Sequence, residues 1–243
     1  MKRKPKRLIP LILLVVLAGG SAAYIARYYH ADAAALEALR SDDTVSVSET
    51  DYGWWFDGPS DDAALIFYPG AKVEETAYAP LLRLLAAEGM DACLVKMPGR
   101  LAFFAPDKAA AVMEAHDYSR WYIGGHSLGG AYATAFAAKN SDRLCGVILL
   151  GAYPMAQISD ELTTLFLYGS EDGVLNRWLY EKCRHLAPDD AVELVLEGGN
   201  HAQFGSYGAQ RRDGTPSISA DAQVRETVRV ILGTMLPEPS LRA

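Results

Sequence analysis

Cysteine is scarce in this chain of 243 residues: only Cys93, Cys145 and Cys183 occur, with no CxxC pair and no Cys/His cluster. An odd number cannot pair off completely and the spacing offers no ligand set, so free thiols acting as small hydrophobes are expected, and no metal. Positive charge is also short, with 23 Lys and Arg against 30 Asp and Glu, a formal net of -7. Residues 1–30 hold six of those cations and none of the acids, so the rest of the chain stands at 17 against 30, a net of -13. Such a surface does not suit a phosphate backbone, and nucleic acid is excluded as the expected partner. Internal repeats and low-complexity linkers are absent. What remains, half of it hydrophobic, is enough for one well-buried domain and too little for two of ordinary size.

The amino terminus has what the rest lacks. MKRKPKR carries five positive residues in seven, and residues 8–26 then run apolar with only Pro10, Gly19, Gly20 and Ser21 as interruptions. This is a membrane-targeting pattern. Ser21-Ala22-Ala23 offers a signal-type cleavage site, but nineteen apolar residues reach the length of a bilayer-spanning helix. The expectation is a single-pass anchor over residues 1–30 that fixes the protein to the cell membrane, with secretion after cleavage as the alternative. Cations before the run outnumber Arg27 behind it, which places the following domain outside the cytoplasm. Residues 31–43 read as a short helical stalk, and residues 44–243 as the domain.

Within that domain, Val45 and Val47 alternate with polar residues, and a Thr50-Asp51-Tyr52-Gly53 turn leads to Trp54-Trp55-Phe56, which reads as an antiparallel hairpin. Its aromatic residues are expected to pack on the sheet. A buried strand at Ala63–Tyr68 and further strands at 91–97, 121–126, Gly146–Leu150, 163–168 and 191–196 then alternate with helical patterns at 76–88, 108–116, after Ser127, 176–185 and 221–236. That alternation predicts an α/β fold, a mostly parallel sheet with helices on both faces. In such sheets ligands lie beyond the carboxyl ends of the strands.

Three strand ends carry chemistry. Trp121-Tyr122-Ile123-Gly124-Gly125-His126-Ser127-Leu128-Gly129-Gly130 joins an apolar strand to a helix through Gly-x-Ser-x-Gly. In that context the motif makes a nucleophile elbow, with Gly125 and Gly129 leaving room for a strained Ser127. After strand 163–168 comes Gly169-Ser170-Glu171-Asp172-Gly173, and after strand 191–196 comes Glu197-Gly198-Gly199-Asn200-His201. A serine hydroxyl needs a neutral imidazole to take its proton, and the imidazole needs a carboxylate to hold its tautomer. Ser127 is the expected nucleophile, His201 the base and Asp172 the orienting acid, with Glu171 as the alternative acid. The oxyanion hole is expected from the backbone N–H of Leu128 and that of Ala71, in the loop after the first buried strand. His126 is expected to pack locally, and His116 and His185 to lie solvated near helix ends.

With these motifs in hand, the sequence resembles the alpha/beta-hydrolase superfamily over about residues 45–236. Tyr68-Pro69-Gly70-Ala71-Lys72-Val73, Lys96-Met97-Pro98 and Asn200-His201-Ala202-Gln203-Phe204-Gly205 resemble a small membrane-anchored bacterial group placed with dienelactone-hydrolase-like proteins. Dienelactone hydrolases proper use a cysteine where Ser127 stands. The resemblance implies a cofactor-free serine hydrolase acting on a small-molecule ester, thioester or related acyl bond. Only eleven residues separate Leu150 from Leu162, where larger relatives insert a cap, so an open, lidless site is implied. Its rim is expected among Met97, Phe103, Phe104, Tyr153, Phe204 and Tyr207. The contrasting expectation is a hydrolase fold serving as a non-catalytic surface binding module.

Overall fold

The computed structural model describes residues 26–236 together with Pro10, Gly19 and Gly20. The expected membrane segment thus lies almost wholly outside the described residues. No helix among the described residues is long and apolar enough to cross a membrane.

Eight strands form one sheet: β1 (Ser46–Thr50), β2 (Gly53–Asp57), β3 (Ala63–Tyr68), β4 (Asp91–Val95), β5 (Arg120–His126), β6 (Gly146–Leu150), β7 (Thr163–Gly169) and β8 (Val192–Leu196). Their order is β1-β2-β4-β3-β5-β6-β7-β8. The hairpin β1–β2 runs antiparallel and joins β4 antiparallel, while every pairing from β4 to β8 is parallel. The six residues of β3, Ala63 to Tyr68, are all buried. Period-two geometry explains how one run serves two cores. Leu65, Phe67, Leu94, Ile148 and Leu165 face one layer, whereas Ala64, Ile66, Cys93, Val147 and Phe166 face the other.

Helices α2 (Ala79–Ala87) and α6 (Ala220–Met235) cover the first face; α3 (Ala109–Ala115), α4 (Leu128–Ala137) and α5 (Arg177–Cys183) cover the second. The helix expected over residues 76–88 is two elements, a 3-10 turn at Glu75–Tyr78 and then α2. Pro80 explains the division: a residue without an N–H is accommodated in the first turn of an α-helix and not in its interior. Trp55 and Phe56 are buried as expected. His116 is not simply solvated, for its ring stacks on Trp55 at 3.8 Å and meets the Tyr52 hydroxyl. The three cysteines are free thiols.

The stalk expectation needs revision. A short helix, α1 (Ala33–Glu37), is present and capped by Asp32, but it lies docked on the domain. Asp32 N–H donates to the Ser206 carbonyl at 2.9 Å, Ala35 is fully buried, and Asp42 pairs with Arg83 of α2. Ahead of it, Tyr29 makes a parallel bridge with Val73, its N–H donating to the Lys72 carbonyl while its carbonyl accepts from Glu74, both at 2.8 Å. A stalk holds a domain away from its tether; these residues are part of the domain's surface.

Candidate active site

Ser127 sits between β5 and α4 with φ 54° and ψ -124°, a backbone region costly for any residue but glycine, by about 1–3 kcal/mol. Two features hold it there. Its N–H donates to the Leu150 carbonyl at 2.9 Å, tying the turn to the end of β6. Gly129 is pressed so closely on the ends of β3 that a Cβ there would overlap the carbonyl oxygens of Tyr68 and Pro69, and Gly125 is confined in the same way. The sequence motif is therefore a folded elbow.

The loops after β7 and β8 meet. His201 Nδ1 lies 2.8 Å from Asp172 Oδ2, and both side chains are essentially inaccessible to solvent. A carboxylate only accepts, so Nδ1 carries the proton and Nε2 presents its lone pair. The other oxygen, Asp172 Oδ1, accepts from Val174 N–H at 2.9 Å and Leu175 N–H at 2.7 Å, which fixes the carboxylate plane. Glu171 is exposed, its carboxylate 3.3 Å from the Ser170 hydroxyl, so Asp172 and not Glu171 is the acid that reaches the histidine.

A cavity of about 160 Å³ opens over this junction, bordered by Ser127, Leu128, Tyr153, Leu175, Asn176 and His201. At roughly 30 Å³ per water, that is space for about five. His201 Nε2 has no hydrogen-bond partner among the described residues, the Ser127 hydroxyl included. Ser127 and His201 thus border one cavity, and the hydrogen bond that would join serine to histidine is not formed. Leu128 borders the same cavity, whereas Ala71 does not. The neighbouring Gly70 N–H is already engaged, donating to the Tyr78 hydroxyl at 3.1 Å. Of the expected rim, Tyr153 borders the cavity, and Phe103 and Phe104 are exposed, but Met97, Phe204 and Tyr207 are buried packing residues. Among the described residues no group of His, Cys, Asp and Glu could hold a metal ion.

Four supporting residues were invisible to motif reading. Asp213 accepts four backbone N–H groups: Gly173 (3.1 Å), His201 (3.2 Å) and Gly214 (2.9 Å) on Oδ1, and Ala202 (2.8 Å) on Oδ2. One carboxylate thereby binds the loop of Asp172 to the loop of His201. Gln223 of α6, fully buried, accepts from Asn200 N–H at 3.0 Å and donates to the Asn200 carbonyl at 2.8 Å, holding the residue before the base. Gly151, with φ 51°, ends β6 directly against the pair; a Cβ there would lie 2.8 Å from His201 Nδ1 and 3.2 Å from Asp172 Oδ2.

Tyr78 is the fourth. Its hydroxyl accepts from Gly70 N–H and lies 2.8 Å from His126 Nδ1, linking the loop after β3 to the residue before the serine. Burial raises its phenol pKa, so the hydroxyl keeps its proton. His126 is itself buried, its ring 4.3 Å from that of His201. Burial first, and then the neighbouring His201, push its pKa well below the ordinary histidine value and keep it neutral. Its local packing was legible; its bridge to Tyr78 was not.

A search of curated proteins finds no match to the chain. Solved structures do resemble it. A predicted CIB-like hydrolase from Thermoplasma acidophilum superposes with a TM-score of 0.59 at 16% identity, over 77% of this chain and 98% of that one. Carboxylesterase CesB (YbfK) from Bacillus subtilis does so with a TM-score of 0.58 at 9% identity, over 85% and 96%. At such identities the likeness is one of fold. The sequence-family model described as "Alpha/beta hydrolase family" matches residues 64–225, more than half of the chain, and it is to this family that the protein belongs.

Proposed function

We propose that this hydrolase cleaves an ester, thioester or related acyl bond through Ser127, His201 and Asp172. The observation that carries the proposal is the buried Asp172–His201 pair, whose free ring nitrogen belongs to the residue that shares a small cavity with an elbow serine. Catalysis requires the Ser127 hydroxyl to meet Nε2, a contact that is often long before substrate arrives. The hydroxyl oxygen then attacks the acyl carbon as Nε2 takes its proton, and the oxyanion faces the N–H of Leu128 at the start of α4. Collapse of the intermediate passes the proton to the departing alcohol or thiol. Water, deprotonated by the same nitrogen, attacks the acyl-enzyme and releases the acid. The cavity volume favours a short acyl group, with the remainder of the substrate outside. The carboxylesterase among the structural neighbours is consistent with this class and does not name the substrate.

One observation favours the contrasting reading of a surface binding module: the absent Ser127–His201 hydrogen bond. A fluorophosphonate probe separates the two. Labelling of the wild type, lost together with turnover of p-nitrophenyl acetate in Ser127→Ala and His201→Ala, supports the hydrolase, with turnover expected to fall by about 10⁴-fold. A wild type that neither labels nor turns over supports the binding module.

A further inference from the structure

The chain enters the domain at its catalytic edge. Tyr29 is bridged to Val73 in the loop after β3, and its hydroxyl accepts from Arg211 N–H, in the chain after β8, at 3.2 Å. Tyr28 lies beneath the guanidinium of Arg100, in the loop after β4, at 3.4 Å. These loops follow the carboxyl ends of parallel strands, the end of the sheet where Ser127 and His201 lie. Docking therefore begins at Tyr28, two residues beyond Ala26, where the apolar run ends. Two extended residues span only about 7 Å. With the expected stalk folded onto the domain, no spacer remains to hold the catalytic edge away from whatever the apolar run enters.

The same edge carries the partner such a surface needs. Phe103 and Phe104, in the loop after β4, pack as a tilted pair with ring centroids 3.9 Å apart while 45% and 53% exposed. Exposed aromatic pairs of this kind, like tyrosines directly behind an apolar span, are at home in the interfacial layer of a bilayer.

We propose that the active-site edge of the domain lies against the membrane surface, with Phe103 and Phe104 in the interfacial layer, and that the substrate is an amphiphilic ester whose apolar part stays in the bilayer. Only the scissile end then has to enter the 160 Å³ cavity. The orientation rests on residues 8–26 being membrane-embedded, and the substrate class rests on the hydrolase reading above.

The orientation is tested without any activity. The full chain, with Cys145 and Cys183 replaced by serine and the buried Cys93 kept, is given one labelling site by Phe103→Cys or by Glu161→Cys. Glu161 is exposed and close to the start of β7, at the opposite edge. Each protein is labelled with an environment-sensitive fluorophore and reconstituted in phosphatidylcholine/phosphatidylglycerol vesicles containing a brominated lipid. Quenching at residue 103 severalfold above that at residue 161 is expected. Equal quenching at the two sites, quenching at neither, or failure of the chain to sediment with the vesicles overturns the orientation.

The substrate class is tested by inserting about twenty Gly/Ser residues after Ala26, a flexible tether of about 25 Å in root-mean-square length. Turnover of a vesicle-borne long-chain alcohol acetate, relative to soluble p-nitrophenyl acetate, is expected to fall severalfold; an unchanged ratio overturns the amphiphile. If neither ester is turned over by any form, the hydrolase reading fails and takes the substrate class with it, while the quenching result stands.

Discussion

The proposed acid–base half of the site and the proposed nucleophile half are built to different standards of fixity. Asp172 has its carboxylate oriented by two backbone N–H groups, His201 is fixed by Asp172, and the loops bearing both are clamped by Asp213 and Gln223. Ser127 has a rigid backbone but a hydroxyl that does not yet meet Nε2, and Ala71 lies off the cavity that Leu128 borders. The difference follows from degrees of freedom. An imidazole off by 1 Å is repositioned only by moving a loop, whereas a hydroxyl turns about a single bond. A fold that fixes the ring and leaves the hydroxyl to substrate spends its hydrogen bonds where misplacement is hardest to repair.

Breaking the fixed half should have the largest effect. Gly151→Ala places a methyl group against His201 and Asp172 at a backbone position with positive φ. Turnover is expected to drop about 100-fold, with stability lower by roughly 1–2 kcal/mol; steady-state kinetics beside a urea melt would show both. Asp213→Ala is milder, since water can reach some of the four N–H groups it strands. A fall in kcat of about tenfold at nearly constant KM is expected, a cost of about 1.4 kcal/mol. Loss confined to KM would deny Asp213 its positioning role.

The nucleophile side should yield less. Tyr78→Phe keeps the ring and removes the hydroxyl between Gly70 and His126. About 1 kcal/mol of stability is expected to go, and turnover to fall only severalfold. If this change disabled the enzyme as thoroughly as Gly151→Ala, the two halves would not differ in fixity.

The smallest effect is that of pH on stability. Folded His126 stays neutral, but the unfolded residue binds a proton below about pH 6.5, so acidification favours unfolding. Asp91 works the other way: burial pushes its carboxyl up to about 6, while in the unfolded chain it titrates near 3.9, so between those values the folded state holds the extra proton. The Tm of Asp91→Asn should therefore decline more steeply than that of the wild type from pH 7 to pH 5. Parallel declines by differential scanning fluorimetry would contradict this assignment of the two groups.

The central strands were legible because burial on both faces writes long apolar runs, and the parallel order followed from the alternation of strands with helices. Ser127, Asp172 and His201 were legible as residues because each follows a strand end in a glycine-marked loop, and the structure brings the last two into contact. Asp213 and Tyr78 were not. Neither lies in a recognisable pattern, and their partners stand up to 40 and 48 residues away. The same distance explains the misread stalk: Tyr29 and Asp32 are held by residues near 72 and 206, and a helix five residues long carries no local sign of being docked.

Ser127 occupies a backbone shape that glycine adopts without penalty, and it does so with glycines two residues away on either side. Thermodynamics by itself would fill that position with a hydrogen atom. A side chain retained where architecture gains nothing from it is what the proposed nucleophile would look like, a residue chosen for chemistry and not for durability.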